Sequence, residues 1–155
     1  MASDAAHTLL HTASAMSSPL PGLPLTPRYA IAAAATLARH PVGQLVSTRV
    51  LAEATSVPPA FLSKVMGMLR EAGLVRGERG RSGGYTFARD PATIMLGEIV
   101  SAVCEECGTD VCVMGDRSCG GESPCDLHDL WSVASAPLGH LMKTVSILDV
   151  ARRAR

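Results

Sequence analysis

The order of structural elements is clearest in residues 47–88, which read STRVLAEATSVPPAFLSKVMGMLREAGLVRGERGRSGGYTFA. A short helix is predicted through residues 51–55, with Ser47 or Thr48 as its N-cap. After a Ser-Val-Pro turn, apolar residues at helical spacing predict a second helix over residues 58–72. Two short helices this close together are typical of a helix–turn–helix.

A hairpin is predicted directly after the second helix. Gly73 ends that helix, and residues 74–76 and 85–88 read as two strands on either side of a glycine-rich turn at 77–84. A β-hairpin that follows a helix–turn–helix is a wing. We therefore predict a winged helix–turn–helix DNA-binding domain over residues 25–90.

The remainder of the chain is predicted to be helical around one loop. Residues 1–24, rich in Ala, Ser and Pro, are expected to be a disordered tail, and an alanine-rich helix follows from Thr26, its N-cap. Residues 91–155 are expected to hold an amphipathic helix, a Cys/Gly loop at 104–125, a long helix through Leu141 and a short closing helix. The predicted fold class is thus mainly α with a small β-hairpin.

Charge is distributed unevenly along the chain. The net charge is zero, but residues 26–90 carry nine basic and four acidic side chains, whereas residues 91–155 carry five basic and nine acidic ones. With 47% apolar and 18% charged residues, the chain is not a charged disordered polymer. A basic first half is a footprint of nucleic-acid binding, although runs of charge commonly mark only a solvated surface.

Candidate DNA contacts fall on the two short helices and on the wing. The first exposed turns of a recognition helix need small or polar side chains that can enter a major groove. Arginines among glycines suit phosphates or a narrow minor groove. The candidates are Thr48, Pro59, Ala60, Ser63, Lys64, Arg79 and Arg81.

All five cysteines lie within residues 104–125. The sequence has no run of about 20 apolar residues, the length of a membrane span, and no signal peptide at its start, so a cytoplasmic protein without membrane contact is expected. Disulfides rarely persist in that compartment. The cluster of cysteines therefore favours a metal or redox site over a disulfide framework.

The spacing Cys112-x6-Cys119-x5-Cys125-x2-His128 favours an iron–sulfur cluster. Thiolates are soft ligands that select zinc, copper(I) or iron–sulfur clusters, and a single zinc prefers shorter Cys-x2-Cys pairs. A histidine can replace one cysteine on a cluster, which makes His128 a candidate ligand.

Cys104 and Cys107 leave several interpretations open. Cys104 fits a small buried residue at a helix end. The pair could also form a zinc knuckle with Cys119 and Cys125, or act as a redox dithiol, although the βαβ context of a thioredoxin-like motif is absent.

Four segments carry a family resemblance. They are Leu25-Thr-Pro-Arg-Tyr-Ala30, Leu62-Ser-Lys-Val with Leu69-Arg-Glu-Ala-Gly-Leu-Val75, Arg79-Gly-Arg-Ser-Gly-Gly-Tyr85 and Leu96-Gly-Glu-Ile99. They resemble the Rrf2 superfamily of winged-helix transcriptional regulators, which includes the IscR, NsrR and RirA groups. The resemblance implies a homodimer built on the long helix near residues 126–143, palindromic double-stranded DNA sites and an iron–sulfur cluster that controls DNA binding.

The resemblance also implies roles for single residues. It places Ser63, Lys64 and Arg79 at positions that contact DNA. It matches the Cys/His pattern to the Cys-x5-Cys-x5-Cys-x2-His ligand motif of the IscR group, with one extra residue in the first interval. Arg28 stands where nitric-oxide sensors carry an aspartate ligand, which favours a 2Fe-2S over a 4Fe-4S cluster. Pro137 is expected to kink the dimerisation helix or to shift its start.

These observations lead to one main functional hypothesis and two alternatives. The main one is a DNA-binding transcriptional regulator whose cluster senses iron–sulfur supply, redox state or nitric oxide. The alternatives are a zinc- or thiol-based redox regulator of the same fold and a protein-interaction module without a cluster. An enzyme is not expected, because no nucleophile–base pair is visible outside the cysteine loop.

Overall fold

The computed structural model of the protein describes residues 23–104, 107, 112, 114 and 123–153. In chain order its elements are α1 (Leu25–Leu37), α2 (Thr48–Thr55), α3 (Pro59–Glu71), β1 (Val75–Glu78), β2 (Gly84–Phe87), a 3-10 turn (Pro91–Thr93), α4 (Leu96–Val103), α5 (His128–Thr144) and α6 (Ile147–Arg153). The predicted fold class is confirmed. All but two residues of the predicted tail lie outside the described residues.

Helix α1 begins earlier than predicted. Its N-cap is Pro24, which has no capping side chain, so the prediction of Thr26 as N-cap is wrong. Pro27 then lies in the first turn of the helix. Its missing N–H is harmless there, because the first N–H groups of a helix have no intrahelical partner.

The helix–turn–helix forms as the sequence predicts. The N-cap of α2 is Ser47, whose Oγ accepts a hydrogen bond from the Val50 N–H at 3.3 Å. Ser56 adopts a left-handed conformation with φ of 56° and turns the chain toward α3. Gly73 follows the end of α3, and the chain then enters the wing.

The core is built on one face of α1. Ala30, Ala33 and Ala34 are fully buried there. Helices α2, α3, α4 and α6 and strand β2 all pack against this helix. The larger side chains of the core come from these neighbours: Leu51, Leu62, Val65, Met66, Leu69, Phe87, Ile99 and Ile147. The core is therefore continuous across residue 90, the predicted domain boundary.

The wing is anchored to the chain segment that precedes α2. Strands β1 and β2 pair antiparallel, with Val75 opposite Phe87. Val46 adds a bridge to Tyr85, in which each N–H donates to the other residue's carbonyl at 2.9 Å. A Cβ on Gly84 would lie 2.4 Å from the Val46 carbonyl oxygen, so only glycine fits at this close approach.

The long helix α5 packs mainly against α4. A Cβ on Gly97 of α4 would lie 2.9 Å from the Met142 carbonyl oxygen of α5, so the two backbones are in close contact. The helix starts at His128 and continues through Pro137, where it lacks one backbone donor. None of the helices in the described part of the chain has the length and apolar character needed to cross a lipid bilayer.

An ion pair connects the end of the wing to α4. Arg89 donates a hydrogen bond to Glu98, whose other carboxylate oxygen accepts from the Met95 N–H at 2.9 Å. Partial burial raises the pKa of Glu98, but the hydrogen bonds from Arg89 and Met95 and the charge of Arg89 outweigh it. The pKa of Glu98 therefore lies below its ordinary value.

We expect Glu98→Gln to weaken the fold in a pH-dependent way. Because the pKa is lowered in the folded state, ionised Glu98 stabilises the protein above its unfolded-state pKa, about 4.3. This contribution is lost as pH falls through the lower folded-state pKa. Urea unfolding should show the variant less stable than the wild type at neutral pH and equal to it in strong acid.

The matched control for this experiment is Glu71→Gln, which changes an exposed glutamate at the end of α3. This variant should follow the wild type at both pH values. A stability difference for Glu98→Gln that stays the same at both pH values would contradict the role of the ion pair.

Candidate nucleic-acid interface and cysteine site

The first turns of α3 carry an exposed face of small and polar side chains. Pro59, Ala60, Ser63 and Lys64 are all exposed, whereas the intervening large apolar side chains of α3 are buried or half-buried. The Ser63 hydroxyl donates to the Pro59 carbonyl at 2.9 Å, so toward an outside partner it can act as an acceptor. Acceptors suit the amino groups that adenine and cytosine present in the major groove.

A cleft of about 420 Å³ lies between the start of α2, the end of α3 and the wing. It brings Thr48 together with the wing residues Arg79 and Arg81 and with Arg70 of α3. Three arginines face one acidic neighbour, Glu78, in its lining. The positive end of the α2 dipole opens into the same cleft, which makes it suited to a phosphate.

Sequence reasoning missed Arg70 and Ser47 as members of this cleft. Arg70 lies in the last turn of α3, three residues before Gly73, where the chain turns into the wing. A basic residue at that position lies beside the hairpin once the hairpin folds back. This is the signal in the sequence that could have identified Arg70.

Two of the predicted metal ligands lie together. The Sγ atoms of Cys112 and Cys125 are 3.6 Å apart, and the Met114 N–H donates to Cys112 Sγ at 3.4 Å. Two thiolates on one tetrahedral metal ion, with metal–sulfur bonds of about 2.3 Å, would be about 3.8 Å apart. The pair therefore fits a shared metal ion, and an N–H donor to a ligand sulfur is typical of iron–sulfur sites.

Of the other two predicted ligands, Cys119 and His128, only His128 is among the described residues. His128 is half-buried at the start of α5, and its N–H donates to the Cys125 carbonyl at 2.9 Å. Among the residues that the structure describes, no group of three or more Cys, His, Asp or Glu side chains is arranged to hold a metal ion.

Cys104 and Cys107 form a disulfide in this structure. Cys104 is the C-cap of α4, and its N–H donates to the Val100 carbonyl at 3.0 Å. Both residues are half-buried. In this state their sulfurs are not available for the zinc knuckle considered above. Cys104 lies at a helix end, as one interpretation predicted, but it is half-buried and not buried.

Helix α5 exposes an apolar face. Leu130 is 72% exposed and shares this face with the exposed Leu138 and Leu141, and the N-cap residue Leu127 extends it. Val133 is 76% exposed and lies at the edge of this face. The buried residues Ser135 and Gly139 lie on another face of the helix. Exposed apolar side chains in this number on one helix are typical of an interaction surface.

Comparison with known proteins identifies the family. A family model described as "Rrf2: Iron-dependent Transcriptional regulator" matches residues 26–153. IscR of Xenorhabdus nematophila, an HTH-type transcriptional regulator, is 33% identical over 135 residues, which cover 81% of this chain and 82% of IscR. A putative HTH-type regulator, ORF2 of Azotobacter vinelandii, is 32% identical over 126 residues, covering 81% of this chain and 76% of ORF2.

Solved structures confirm the fold. CymR, described as the global cysteine regulator of B. subtilis, aligns with a TM-score of 0.72 at 20% identity and covers 86% of this chain and 98% of its own. IscR of T. potens aligns with a TM-score of 0.65 at 24% identity, covering 86% of this chain and 88% of its own. The relatives are named as regulators and not as enzymes, which confirms the prediction that the chain is not an enzyme.

Proposed function

Because the chain belongs to the Rrf2 family of transcriptional regulators, we propose that it binds double-stranded operator DNA as a homodimer under the control of an iron–sulfur cluster. The DNA-binding part of the proposal is supported mainly by the arginine-lined cleft beside the exposed face of α3. In a protein–DNA complex, phosphate contacts set the position of the protein and side chains in the groove read the base edges. The cleft is suited to the first role and the exposed face of α3 to the second.

In this proposal α3 enters the major groove through its first turns. Ser63 and Lys64 approach base edges, and Pro59 and Ala60 are small enough to allow close contact. The cleft holds a backbone phosphate between the start of α2 and Arg70. Arg79 and Arg81 at the wing tip reach phosphates or the neighbouring minor groove. In a two-fold dimer, the half-sites of a palindrome would be about 34 Å apart.

The proposed cluster ligands are Cys112, Cys119, Cys125 and His128. The 3.6 Å between the Cys112 and Cys125 sulfurs and the Met114 N–H at Cys112 Sγ support this set. The relatives named IscR favour a cluster regulator, and the resemblance to their ligand motif favours 2Fe-2S. When bound, the cluster would supply sensitivity to iron supply, redox state or nitric oxide.

The chain offers a direct route from these ligands to the DNA-binding helix. Cys125 is bonded through its carbonyl to the N–H of His128, the first residue of α5. Helix α5 contacts α4 at Gly97, and α4 packs against α3. A change in the position of Cys125 therefore acts on the start of α5 and, through α4, on the orientation of α3.

The proposed dimer interface is the exposed apolar face of α5. Leu127, Leu130, Leu138 and Leu141 would pack against their counterparts from a second copy. A two-fold interface of this kind uses the same surface on both subunits. This interface would bury the apolar side chains of α5 that do not pack against α4 and are exposed to water.

We expect Arg70→Ala to weaken DNA binding without changing sequence preference. Loss of one phosphate contact should reduce affinity for all duplexes alike and lower the slope of log K against log salt by about 1. The operator is first selected from random-sequence duplexes, and binding is then measured by fluorescence anisotropy at several salt concentrations. Arg152→Ala, in the distant helix α6, should bind as the wild type does. Failure to enrich a palindrome, or unchanged affinity of Arg70→Ala, would refute this interface.

We expect anaerobically isolated protein to contain iron and acid-labile sulfide in equal amounts and to absorb visible light. Cys119→Ala and Cys125→Ala should lose the iron, the sulfide and the visible absorption together, because each removes a proposed ligand. Cys104→Ser, which changes a cysteine outside the proposed set, is the matched control and should keep them. A colourless protein with one zinc per chain would instead support the zinc-based alternative.

We expect Leu130→Asp to convert the dimer into monomers. Burial of an unpaired carboxylate in the interface costs several kcal/mol, which outweighs the contribution of one apolar side chain. Ala136→Asp places the same charge on an exposed residue outside the apolar face of α5 and should remain dimeric. Sedimentation velocity measures both variants. A wild-type protein that sediments as a monomer would rule out the interface.

A further inference from the structure

We propose that Cys104 and Cys107 form a second redox site, a reversible thiol–disulfide couple that is chemically separate from the proposed cluster ligands. The pair exchanges with low-molecular-weight disulfides such as glutathione disulfide. It lies where α4 ends and the segment toward Cys112 begins.

The geometry of the pair supports this assignment. The two residues are joined as a disulfide, with Cα atoms 5.4 Å apart, within the range that a disulfide requires. The chain is held at this spacing by backbone hydrogen bonds from Cys104 to Val100 at 3.0 Å and from Cys107 to Cys104 at 3.5 Å. Both residues are only half-buried, so exchange partners can reach them.

The four cysteines that the structure describes form two sulfur pairs of different kinds. Cys104 and Cys107 are covalently joined, whereas the sulfurs of Cys112 and Cys125 lie 3.6 Å apart without a disulfide bond. Formation of the Cys104–Cys107 disulfide therefore uses neither sulfur of the second pair. The disulfide also prevents Cys104 and Cys107 from competing with Cys112 for the cluster. This consequence rests on the proposed function.

Glutathione disulfide oxidises the pair in two exchange steps. One sulfur of the pair attacks the oxidant as a thiolate, the S–S bond of the oxidant breaks, and one glutathione thiolate leaves from the mixed disulfide. The second thiol of the pair then gives up its proton and attacks the protein sulfur of the mixed disulfide, and the second glutathione thiolate leaves as the Cys104–Cys107 bond forms. The two protein thiols thus lose two electrons and two protons, and each glutathione thiolate takes up a proton. An external dithiol reverses the oxidation by thiol–disulfide exchange.

Electrostatics favours the oxidised form of this couple. Cys104 caps the carboxyl end of α4, where the helix dipole is negative, and the two residues between the cysteines are Glu105 and Glu106. All three features disfavour a thiolate. Cys-x2-Cys pairs at helix amino ends have the opposite environment, which stabilises the thiolate and so raises the reduction potential of the disulfide. The Cys104–Cys107 disulfide should therefore have a lower reduction potential than those pairs and be harder to reduce.

The experiment is a redox titration of the full-length chain. The protein is equilibrated under nitrogen with mixtures of reduced and oxidised glutathione, quenched in acid and alkylated, and the alkylated cysteines are located by peptide mass mapping. We expect a two-electron transition confined to Cys104 and Cys107. It should be absent in Cys104→Ser and in Cys107→Ser.

The same titration on Cys119→Ser separates this proposal from the proposed function. That variant lacks a proposed cluster ligand, so its Cys104–Cys107 transition should be retained whether or not the wild type binds a cluster. Complete alkylation of both cysteines at every glutathione ratio, or pairing of Cys107 with Cys112, would overturn the proposal. So would a disulfide that excess dithiothreitol fails to reduce, because that bond would be a permanent cross-link.

A charge variant tests the electrostatic argument. Glu105→Gln combined with Glu106→Gln removes two negative charges beside the couple, so its equilibrium should shift several-fold toward the dithiol. Glu71→Gln, on the exposed end of α3, should leave the equilibrium unchanged. If the dithiol–disulfide equilibrium of the double variant equals that of the wild type, the two glutamates do not determine it.

Discussion

The alanine-rich face of α1 is the constraint on which the rest of the structure depends. Ala30, Ala33 and Ala34 have no bulk to hold neighbours at a distance, so four helices and one strand pack directly against one helix. The helix–turn–helix and the elements after the wing consequently share a single core. Enlarging any of these alanines would force apart the elements that carry the proposed DNA surface and the proposed cysteine site, since packed cores tolerate little added volume.

Local signals predicted most of the fold, and long-range contacts account for what they missed. Helix periodicity, Ser47, Gly73 and the glycine-rich turn are each evident within a few residues, and the helix–turn–helix and hairpin follow from them. The start of α1 was misplaced because the Thr-Pro signal outweighed the less usual N-cap, Pro24. Arg70 belongs to the candidate DNA surface because the wing folds back beside the last turn of α3, so its position before Gly73 becomes informative only when the hairpin is taken into account.

The cysteine site shows the same division between local pattern and spatial arrangement. Spacing alone indicated soft-metal ligands and left the role of Cys104 and Cys107 open, because pairing among cysteines cannot be read from their order. The structure joins that pair and brings Cys112 near Cys125. The family resemblance implies a dimer built on this helix but does not say which side chains it exposes. The exposure of the apolar face of α5 follows from its packing mainly against α4.

The bridge between Val46 and Tyr85 has an entropic consequence for recognition. Two hydrogen bonds of 2.9 Å tie the wing to the residue that precedes the N-cap of α2, and Gly84 allows the two backbones to meet. The bridge restricts movement of the wing relative to α2. A phosphate bound between them, as proposed, would therefore meet a cleft that is already largely formed, so less conformational freedom would be lost on binding and more of the contact energy would remain as affinity.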